Sequence, residues 1–248
     1  MRGNTAAGTA RAGSEPAPLD FDLLRTVPFH PAPDAVLLDP MRPWDTPSEE
    51  FRSLRTSLAQ VRATGSIRSI LITSPTRGEG KSFTAANLAL AEAQLADNPT
   101  LVCDFDLRRP SLDRIFQLER SPGVSDYLMG QAELAEAIQR IDGCGLFVMT
   151  SGGPVMNPLE LLHLEKTRRL LEILSGRFRC VILDSPALLL ASDASLLASL
   201  VDGTLLVARL GASKREAIGQ AVQALSRNNL LGIIANGGRR DGPGRIRD

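Results

Sequence analysis

Ser69-Ile-Leu-Ile-Thr-Ser-Pro-Thr-Arg-Gly-Glu-Gly-Lys-Ser82 combines a short apolar run, a loop with two glycines and the start of an alanine-rich segment. The apolar residues 70–72 predict a strand, and the residues that follow Ser82 predict a helix. Glycines let backbone N–H groups close around a polyphosphate, and a helix N-terminus adds unpaired donors and a positive dipole end. This arrangement is typical of a phosphate-binding P-loop.

The last residues of the loop are the ones that carry chemistry in such a motif. Lys81 would reach the β- and γ-phosphates, and the Ser82 hydroxyl is placed for Mg²⁺. The full motif has a glycine five residues before Gly80, where this chain has Pro75. The alternative is a plain strand–turn–helix with a surface lysine. The chain has only three lysines, so a chance lysine at this position is disfavoured.

Composition limits the possible classes of protein. A length of 248 residues predicts one α/β domain with a tail. The 28 basic and 28 acidic residues give a formal charge of zero, which does not favour nucleic-acid binding. Three cysteines at irregular spacing and two unclustered histidines argue against a disulfide framework and a zinc site. We find neither a long apolar run nor a signal segment, and therefore expect a cytoplasmic protein.

Three regions are expected along the chain. Residues 1–45 are rich in proline and alanine and predict a mostly disordered segment, with one short turn at 21–24 and Trp44 as a possible anchor. Residues 46–237 form the P-loop domain. Residues 238–248 carry four arginines among glycines and predict a flexible basic tail.

An amphipathic helix is predicted just before the P-loop strand. Apolar residues recur at helical spacing over 51–61, after a candidate N-cap at Ser48. Glu49, Arg52 and Arg55 are three residues apart on the charged side. Two interpretations remain open: a solvated face with intrahelical ion pairs, or a contact between subunits.

Carboxylates follow two further predicted strands. Asp104 and Asp106 come after the strand at 100–103, and residues at i and i+2 point to the same side, into the crevice where ligands bind. Mg²⁺ would compensate their charge; the alternative is an acidic turn that caps the next helix. Asp184 ends the apolar strand at 180–183, as a Walker B aspartate does, although many buried strands end in this way.

Strand and helix patterns alternate through the rest of the chain. Further strands are predicted at 146–149, 204–208 and 231–236. This alternation predicts an α/β, three-layer P-loop NTPase fold, with a mainly parallel twisted sheet covered by helices on both faces.

Taken together, these motifs resemble the bacterial tyrosine kinases of capsule and exopolysaccharide synthesis, the CpsD/CapB family of deviant-Walker P-loop ATPases. The likeness runs from about Glu49 to Asn236. It comprises a Walker A motif at 74–82, a Walker A′ motif at 102–110, a Walker B motif at 181–186, and the oligomerisation motif Glu49-x-x-Arg52-x-x-Arg55.

The resemblance implies an ATP- and Mg²⁺-dependent protein-tyrosine kinase that regulates polysaccharide polymerisation and export. It implies a homo-oligomer at the inner face of the cell membrane, held there by a membrane-spanning chain-length regulator that activates it. Ser82, Asp106 and Asp184 would hold the metal, and Asp104 would be the base, with Lys81 completing the catalytic set. The implied nucleotide-binding residues are Thr76, Arg77, Gly78, Glu79, Gly80, Lys81, Ser82, Phe83 and Asn236.

The sequence departs from this family in its tyrosines. Kinases of this type carry a C-terminal tyrosine cluster, but Tyr127 is the only tyrosine here and sits in an apolar helical pattern typical of a core residue. The chain would therefore phosphorylate another protein, or act as a non-kinase ATPase switch through nucleotide-dependent oligomerisation. A partitioning ATPase acting on DNA or membrane is disfavoured by the zero net charge and the missing amphipathic tail.

Overall fold

A computed structural model describes residues 20–38, 48–225 and 230–237. Within these ranges the strands are β1 (Arg25–Val27), β2 (Ser69–Thr73), β3 (Thr100–Asp104), β4 (Gln139–Ile141), β5 (Leu146–Met149), β6 (Cys180–Asp184), β7 (Gly203–Arg209) and β8 (Leu230–Asn236). The helices are α1 (Ser48–Thr64), α2 (Lys81–Ala93), α3 (Leu112–Ile115), α4 (Val124–Leu128), α5 (Leu134–Ala137), α6 (Pro158–Leu162), α7 (Glu165–Arg177), α8 (Ser192–Ala198) and α9 (Arg215–Leu225).

One sheet organises the molecule, with the strand order β1-β4-β5-β3-β6-β2-β7-β8. All neighbouring strands are parallel except β4 and β5, which are antiparallel. Every residue of β2, β3 and β6 is buried, as expected for parallel strands covered on both faces. The predicted three-layer α/β fold is confirmed.

Alternation along the central strands builds two cores. Leu71 of β2 packs with α7, α8 and α9 on one face, whereas Ile70 and Ile72 pack with α1 and α2 on the other. The P-loop connects β2 to α2. Because β2 packs in both cores and α2 packs in one of them, the two ends of the loop are attached to rigid elements. None of the described helices has both the length and the apolar composition needed to cross a membrane.

The predicted amphipathic helix is confirmed as α1, and it packs on α2. Its buried Phe51 lies edge-on to Phe83, with 5.7 Å between the ring centroids. Arg62 donates to both oxygens of the buried Glu92 at 2.9 Å. A buried carboxylate of this kind requires a cation partner, so the pair fixes how the two helices lie against each other.

The expectation of disorder over 1–45 is wrong for residues 20–38, which pack on the domain. A 3₁₀ helix at Phe21–Leu23 leads into β1, which pairs in parallel with β4. The Phe21 ring lies 4.9 Å from that of Phe147. The prolines disfavour an α-helix here and led to the expectation of disorder. An extended segment can nevertheless pair with a sheet edge and bury its apolar residues. Trp44 and the tail at 238–248 lie outside the described residues.

Candidate active site

The loop between β2 and α2 has the backbone conformation of a phosphate cradle. Gly78 and Gly80 have φ values of 79° and 93°, in the left-handed region that favours glycine. A Cβ at Gly80 would also overlap the side-chain amide of Asn236, at the end of β8. Glycine at position 80 is therefore required both by its backbone angle and by the close approach of Asn236.

Glu79 connects the loop to a distant part of the chain. Its buried carboxylate accepts hydrogen bonds from Thr76 Oγ1 at 3.0 Å and from Ser213 Oγ at 2.7 Å. Asn236 Nδ2 donates to the backbone oxygen of Glu79 at 2.9 Å. Glu79 and Asn236 therefore shape the loop, and the side chain of Glu79 points into the protein rather than towards the crevice.

Three side chains from separate elements converge at the start of α2. Lys81 Nζ lies 2.9 Å from Asp106 Oδ2 and 3.6 Å from Asp184 Oδ1, and it donates to Ser82 Oγ at 3.3 Å. The register explains the meeting, because Asp104 and Asp184 are paired at the carboxyl ends of the adjacent strands β3 and β6. Asp106, Asp184 and the P-loop lysine thus lie together at one place.

Asp104 lies beneath this site rather than on its surface. It is fully buried; its Oδ2 accepts from the backbone N–H groups of Ser111 and Leu112 at 2.8 and 2.9 Å, and its Oδ1 from that of Asp106 at 3.1 Å. The carboxylate therefore holds the loop at 105–111 and the start of α3. This is the helix-capping alternative that the sequence left open, and the role of base stays a prediction.

The electrostatics of the site favour an added cation. Burial raises the pKa of Asp184, against the opposing charge of Lys81. Burial, together with the charge of Asp184, raises the pKa of Asp104 to about 7. Burial acts to lower the pKa of Lys81, but Asp184 and Asp106 outweigh it and raise that pKa. Three carboxyl groups lie near one ammonium, and the raised pKa values of Asp104 and Asp184 show that their charged forms are disfavoured without a further cation. A divalent ion would stabilise those charged forms.

The donor set fits Mg²⁺ bound together with a nucleotide. In the described part of the chain, neither oxygen of Asp184 accepts a hydrogen bond, although both are buried. No group of three or more His, Cys, Asp or Glu side chains in those residues is arranged to hold a metal by itself. Mg²⁺ characteristically uses one or two carboxylates, waters and phosphate oxygens, so Asp106, Asp184 and the Ser82 hydroxyl suit it only beside a polyphosphate.

A cavity of about 390 Å³ opens in front of the P-loop, lined by Arg77, Gly78, Lys81, Ser82 and Asp106 among others. Phe83 lies elsewhere: it lines a separate cavity of about 480 Å³, against residues 32–37. The reason is its place in the first turn of α2, on the side that faces α1. The structure does not bring Phe83 to the phosphate cradle.

The predicted oligomerisation residues have partners within the chain. Arg52 donates to Glu49 Oε1 at 2.8 Å, the intrahelical pair expected from their spacing. Arg55 instead turns towards α2 and donates to the backbone oxygen of Ala91 at 2.6 Å. Both interpretations of the motif stay open for Glu49 and Arg52, whereas Arg55 already stabilises the α1–α2 contact.

Three supports of the site were missed in the sequence. Arg209, at the end of β7, donates to the backbone oxygen of Gly78 at 3.3 Å, and Ser213 binds Glu79 as described above. Arg108 forms a two-bond ion pair with the buried Asp193, at 2.6 and 3.1 Å. The sequence signal that could have identified these residues is their position. Polar residues that come just after parallel strands lie at the edge of the sheet where ligands bind.

Comparisons with known proteins agree with this geometry. No protein-family model matches the chain. It is 36% identical over 192 residues to tyrosine-protein kinase YwqD of Bacillus subtilis, covering 77% of this chain and 81% of YwqD. It is also 36% identical over 197 residues to tyrosine-protein kinase Etk of Escherichia coli, covering 79% of this chain but only 27% of that longer protein.

Solved structures show the same relationship. The kinase domain of Escherichia coli tyrosine kinase ETK superposes with a TM-score of 0.78 at 33% identity, over 86% of this chain and 84% of that chain. The septum site-determining protein MinD of Pyrococcus horikoshii, complexed with Mg-ADP, shares the fold with a TM-score of 0.58 at 22% identity, over 70% and 72% of the two chains. The P-loop, its converging carboxylates and the match to YwqD over most of its length lead to one conclusion: this chain belongs to the family of bacterial tyrosine-protein kinases and is a P-loop phosphotransferase or ATPase.

Proposed function

We propose that this protein transfers the γ-phosphoryl group of Mg·ATP to a tyrosine of another protein. The observation that supports this most directly is the convergence of Lys81 with Asp106 and Asp184 at the head of the P-loop. Phosphoryl transfer requires positioning of the phosphates and neutralisation of charge, which this arrangement provides.

Each residue would have a defined task. The backbone N–H groups of the loop and the Lys81 ammonium bind the phosphates, while Ser82, Asp106 and Asp184 hold Mg²⁺. The ion, when bound, neutralises charge on the phosphate oxygens. The tyrosine oxygen attacks the γ-phosphorus, the bond from that phosphorus to the β–γ bridging oxygen breaks, and ADP leaves. By family resemblance, Asp104 is the proposed acceptor of the phenolic proton.

The acceptor tyrosine is proposed to come from another polypeptide. Tyr127 is the only tyrosine of the sequence. Its ring is partly buried against the core, and Lys166 Nζ lies 4.5 Å from the ring centroid and donates to the backbone oxygen of Tyr127. A side chain packed in this way cannot swing to the P-loop without opening the core.

We propose the biological setting on the resemblance described above. The protein would act in the polymerisation and export of capsule or exopolysaccharide, as a homo-oligomer bound to a membrane-spanning activator. The packing of Tyr127, the single tyrosine of this sequence, against the core also favours a second candidate function. In that case ATP binding and hydrolysis would switch the oligomer of the same complex, without a kinase step.

One experiment separates these two functions. The full chain is incubated with labelled Mg·ATP and the candidate activator or polysaccharide enzymes, and both phosphotyrosine and released phosphate are measured. The kinase proposal expects phosphotyrosine on a partner and its loss in Lys81→Met, with retention in Lys214→Met, which removes an exposed lysine outside the P-loop. ATP hydrolysis without phosphotyrosine in any mixture would instead establish the ATPase switch.

A further inference from the structure

A second cavity adjoins the crevice in front of the P-loop. The first cavity contains Lys81 and Asp106, the second has a volume of about 330 Å³, and Arg108 lines both. Arg108 is fixed by its ion pair with the buried Asp193. The wall between the cavities is therefore rigid, and a bound chain could run from the second cavity past Arg108 to the reacting phosphate.

One flank of this double crevice is basic. Arg109 and Arg114 line the first cavity and Arg120 lines the second, and all three are exposed. Arg120 is paired with Asp113 at 2.9 Å, yet 44% of its side chain remains exposed. In the described ranges, neither Arg109 nor Arg114 has a carboxylate within ion-pairing distance. Arg114 donates one bond to the backbone oxygen of Pro110 at 3.3 Å, and its remaining donors and the Arg109 guanidinium face no carboxylate of the described residues that would compete with an incoming anion.

The other flank is apolar. Leu190, which is 54% exposed, lines the first cavity, and Met156, which is 97% exposed, lines the second. Exposed single apolar residues are common on proteins, but these two line the same cavities as the arginines. The cavity that contains the phosphate cradle is therefore also lined by an apolar side chain and by arginines.

We infer that Arg109, Arg114, Arg120, Leu190 and Met156 form an acceptor groove for an acidic, tyrosine-bearing segment of another protein. This inference rests on the proposed kinase function and names its class of substrate. The tyrosine ring packs against the apolar flank, while neighbouring carboxylates pair with the guanidinium groups. Complementary charge also steers such a segment to the crevice in preference to neutral or basic segments.

A second copy of this chain is a poor occupant. Its C-terminal residues 238–248 carry four arginines against two aspartates and contain no tyrosine. The same sign of charge on segment and groove would repel them. The groove therefore favours a partner with glutamates or aspartates on either side of its tyrosine.

The test uses the full chain, Mg·ATP and three synthetic peptides with one central tyrosine, flanked by glutamates, serines or lysines. Steady-state transfer gives kcat/KM, and fluorescence anisotropy in the presence of Mg·ADP gives binding without transfer. We expect the glutamate peptide to be favoured over the lysine peptide on the order of tenfold, since each exposed ion pair contributes modestly. Raising the salt concentration should reduce this preference.

Variants locate the effect. Arg114→Glu should reduce the preference to about two- to threefold, and Arg120→Gln, which can still bond to Asp113, should reduce it less. Arg177→Glu makes the same charge change at the end of α7, near the opposite edge of the sheet, and should leave the preference unchanged.

The possible outcomes separate the groove from the kinase function. Equal kcat/KM and equal binding for the glutamate and lysine peptides would overturn the groove and leave the kinase function standing. Preferential binding of the glutamate peptide without transfer would overturn the kinase function and support the groove. Absence of binding by every peptide, or a preference untouched by Arg114→Glu, would also overturn the groove.

Discussion

Lys81 Nζ lies 2.9 Å from Asp106 Oδ2, so the P-loop lysine is bound to a carboxylate that follows β3, two strands away from β2 in the sheet. The lysine also lies 3.6 Å from the buried Asp184. Binding of Mg·ATP would exchange these partners, because the lysine would turn to the phosphates and Mg²⁺ would take its place beside the carboxylates. The affinity for nucleotide therefore depends on both cations together.

Lys81→Met should lower the affinity for Mg·ATP by about 10- to 100-fold, the value of one hydrogen bond to a charged group. Isothermal titration calorimetry measures this directly. Lys214→Met removes the same charge at an exposed position outside the crevice and should bind as the wild type does. Equal affinities for wild type and Lys81→Met would show that the lysine does not contact the phosphates.

Asp104→Asn should destabilise the fold more than Asp106→Asn. The Asp104 carboxylate accepts three backbone N–H bonds, and an amide cannot accept on both of its polar atoms. We expect a loss of about 2–4 kcal/mol in the free energy of unfolding. Asp106 accepts one backbone N–H, from Arg109 at 3.0 Å, and its other oxygen pairs with Lys81. The amide oxygen of Asn keeps the bond from Arg109, and Lys81 keeps Asp184 as an anionic partner at 3.6 Å.

Urea denaturation without nucleotide or metal compares the two aspartate variants. A loss for Asp106→Asn as large as that for Asp104→Asn would contradict the anchoring role of Asp104. Both variants should also transfer phosphate poorly. A stable Asp104→Asn protein that binds Mg·ATP normally but does not transfer phosphate would identify Asp104 as the base.

Two parts of the site could be predicted from the sequence: the P-loop, whose pattern is local, and the aspartates, whose positions follow from the pairing of parallel strands. Residues 69–82 carry the strand, the glycines and the lysine within one short segment. Asp104 and Asp184 could be placed together because parallel strands end at the same edge of a sheet, and they are direct partners in the register.

The sequence was insufficient where one side chain serves a distant segment. Ser213 and Glu79 are 134 residues apart, and their hydrogen bond leaves no periodic signal in either segment. The same holds for β1, whose three residues are stabilised by β4, a strand for which the sequence carries no signal. The prolines of residues 20–38 indicate that the segment is not an α-helix. They do not indicate that it pairs with β4 and packs on the domain.

Asn87→Ala should release the N-terminal segment from α2. The buried Asn87 side chain accepts from the Leu38 backbone N–H at 2.7 Å and donates to the backbone oxygens of Val36 and Phe83, each at 3.1 Å. Loss of these bonds leaves buried backbone groups unpaired, so the free energy of unfolding should fall by about 2–4 kcal/mol.

Limited proteolysis and urea denaturation test the attachment of this segment. Cleavage within residues 32–38 should be faster in Asn87→Ala than in the wild type. Asn157→Ala, which removes an exposed amide bonded to Glu160, should change neither measurement. Unchanged cleavage in Asn87→Ala would show that β1 and the aromatic contacts of Phe21 suffice to hold the segment.

Stability should decline at alkaline pH because of buried thiols. Burial raises the pKa of Cys180 to about 12, against the opposing effect of Arg62, whose Nη2 donates to the sulfur at 2.9 Å. Burial also raises the pKa of Cys103. Below the unfolded thiol pKa of about 8.5, both states are protonated and the contribution is complete. Above it, only the unfolded chain loses these protons, so the folded state loses stability as pH rises.

Urea denaturation at pH 8 and pH 10 under reducing conditions should show a fall of about 2–4 kcal/mol from the two thiols, since each contributes about 1.4 kcal/mol per pH unit once the unfolded thiol is ionised. The double variant Cys103→Ala, Cys180→Ala should be less stable at pH 8 but should lose less stability on going to pH 10.

Iodoacetamide should label neither thiol in the folded wild type at pH 8, because the thiolate is the reactive form and both sulfurs are buried. Rapid labelling of Cys180 in the folded protein would mean that Arg62 stabilises the thiolate more than burial disfavours it, and the expected pH dependence would then be absent.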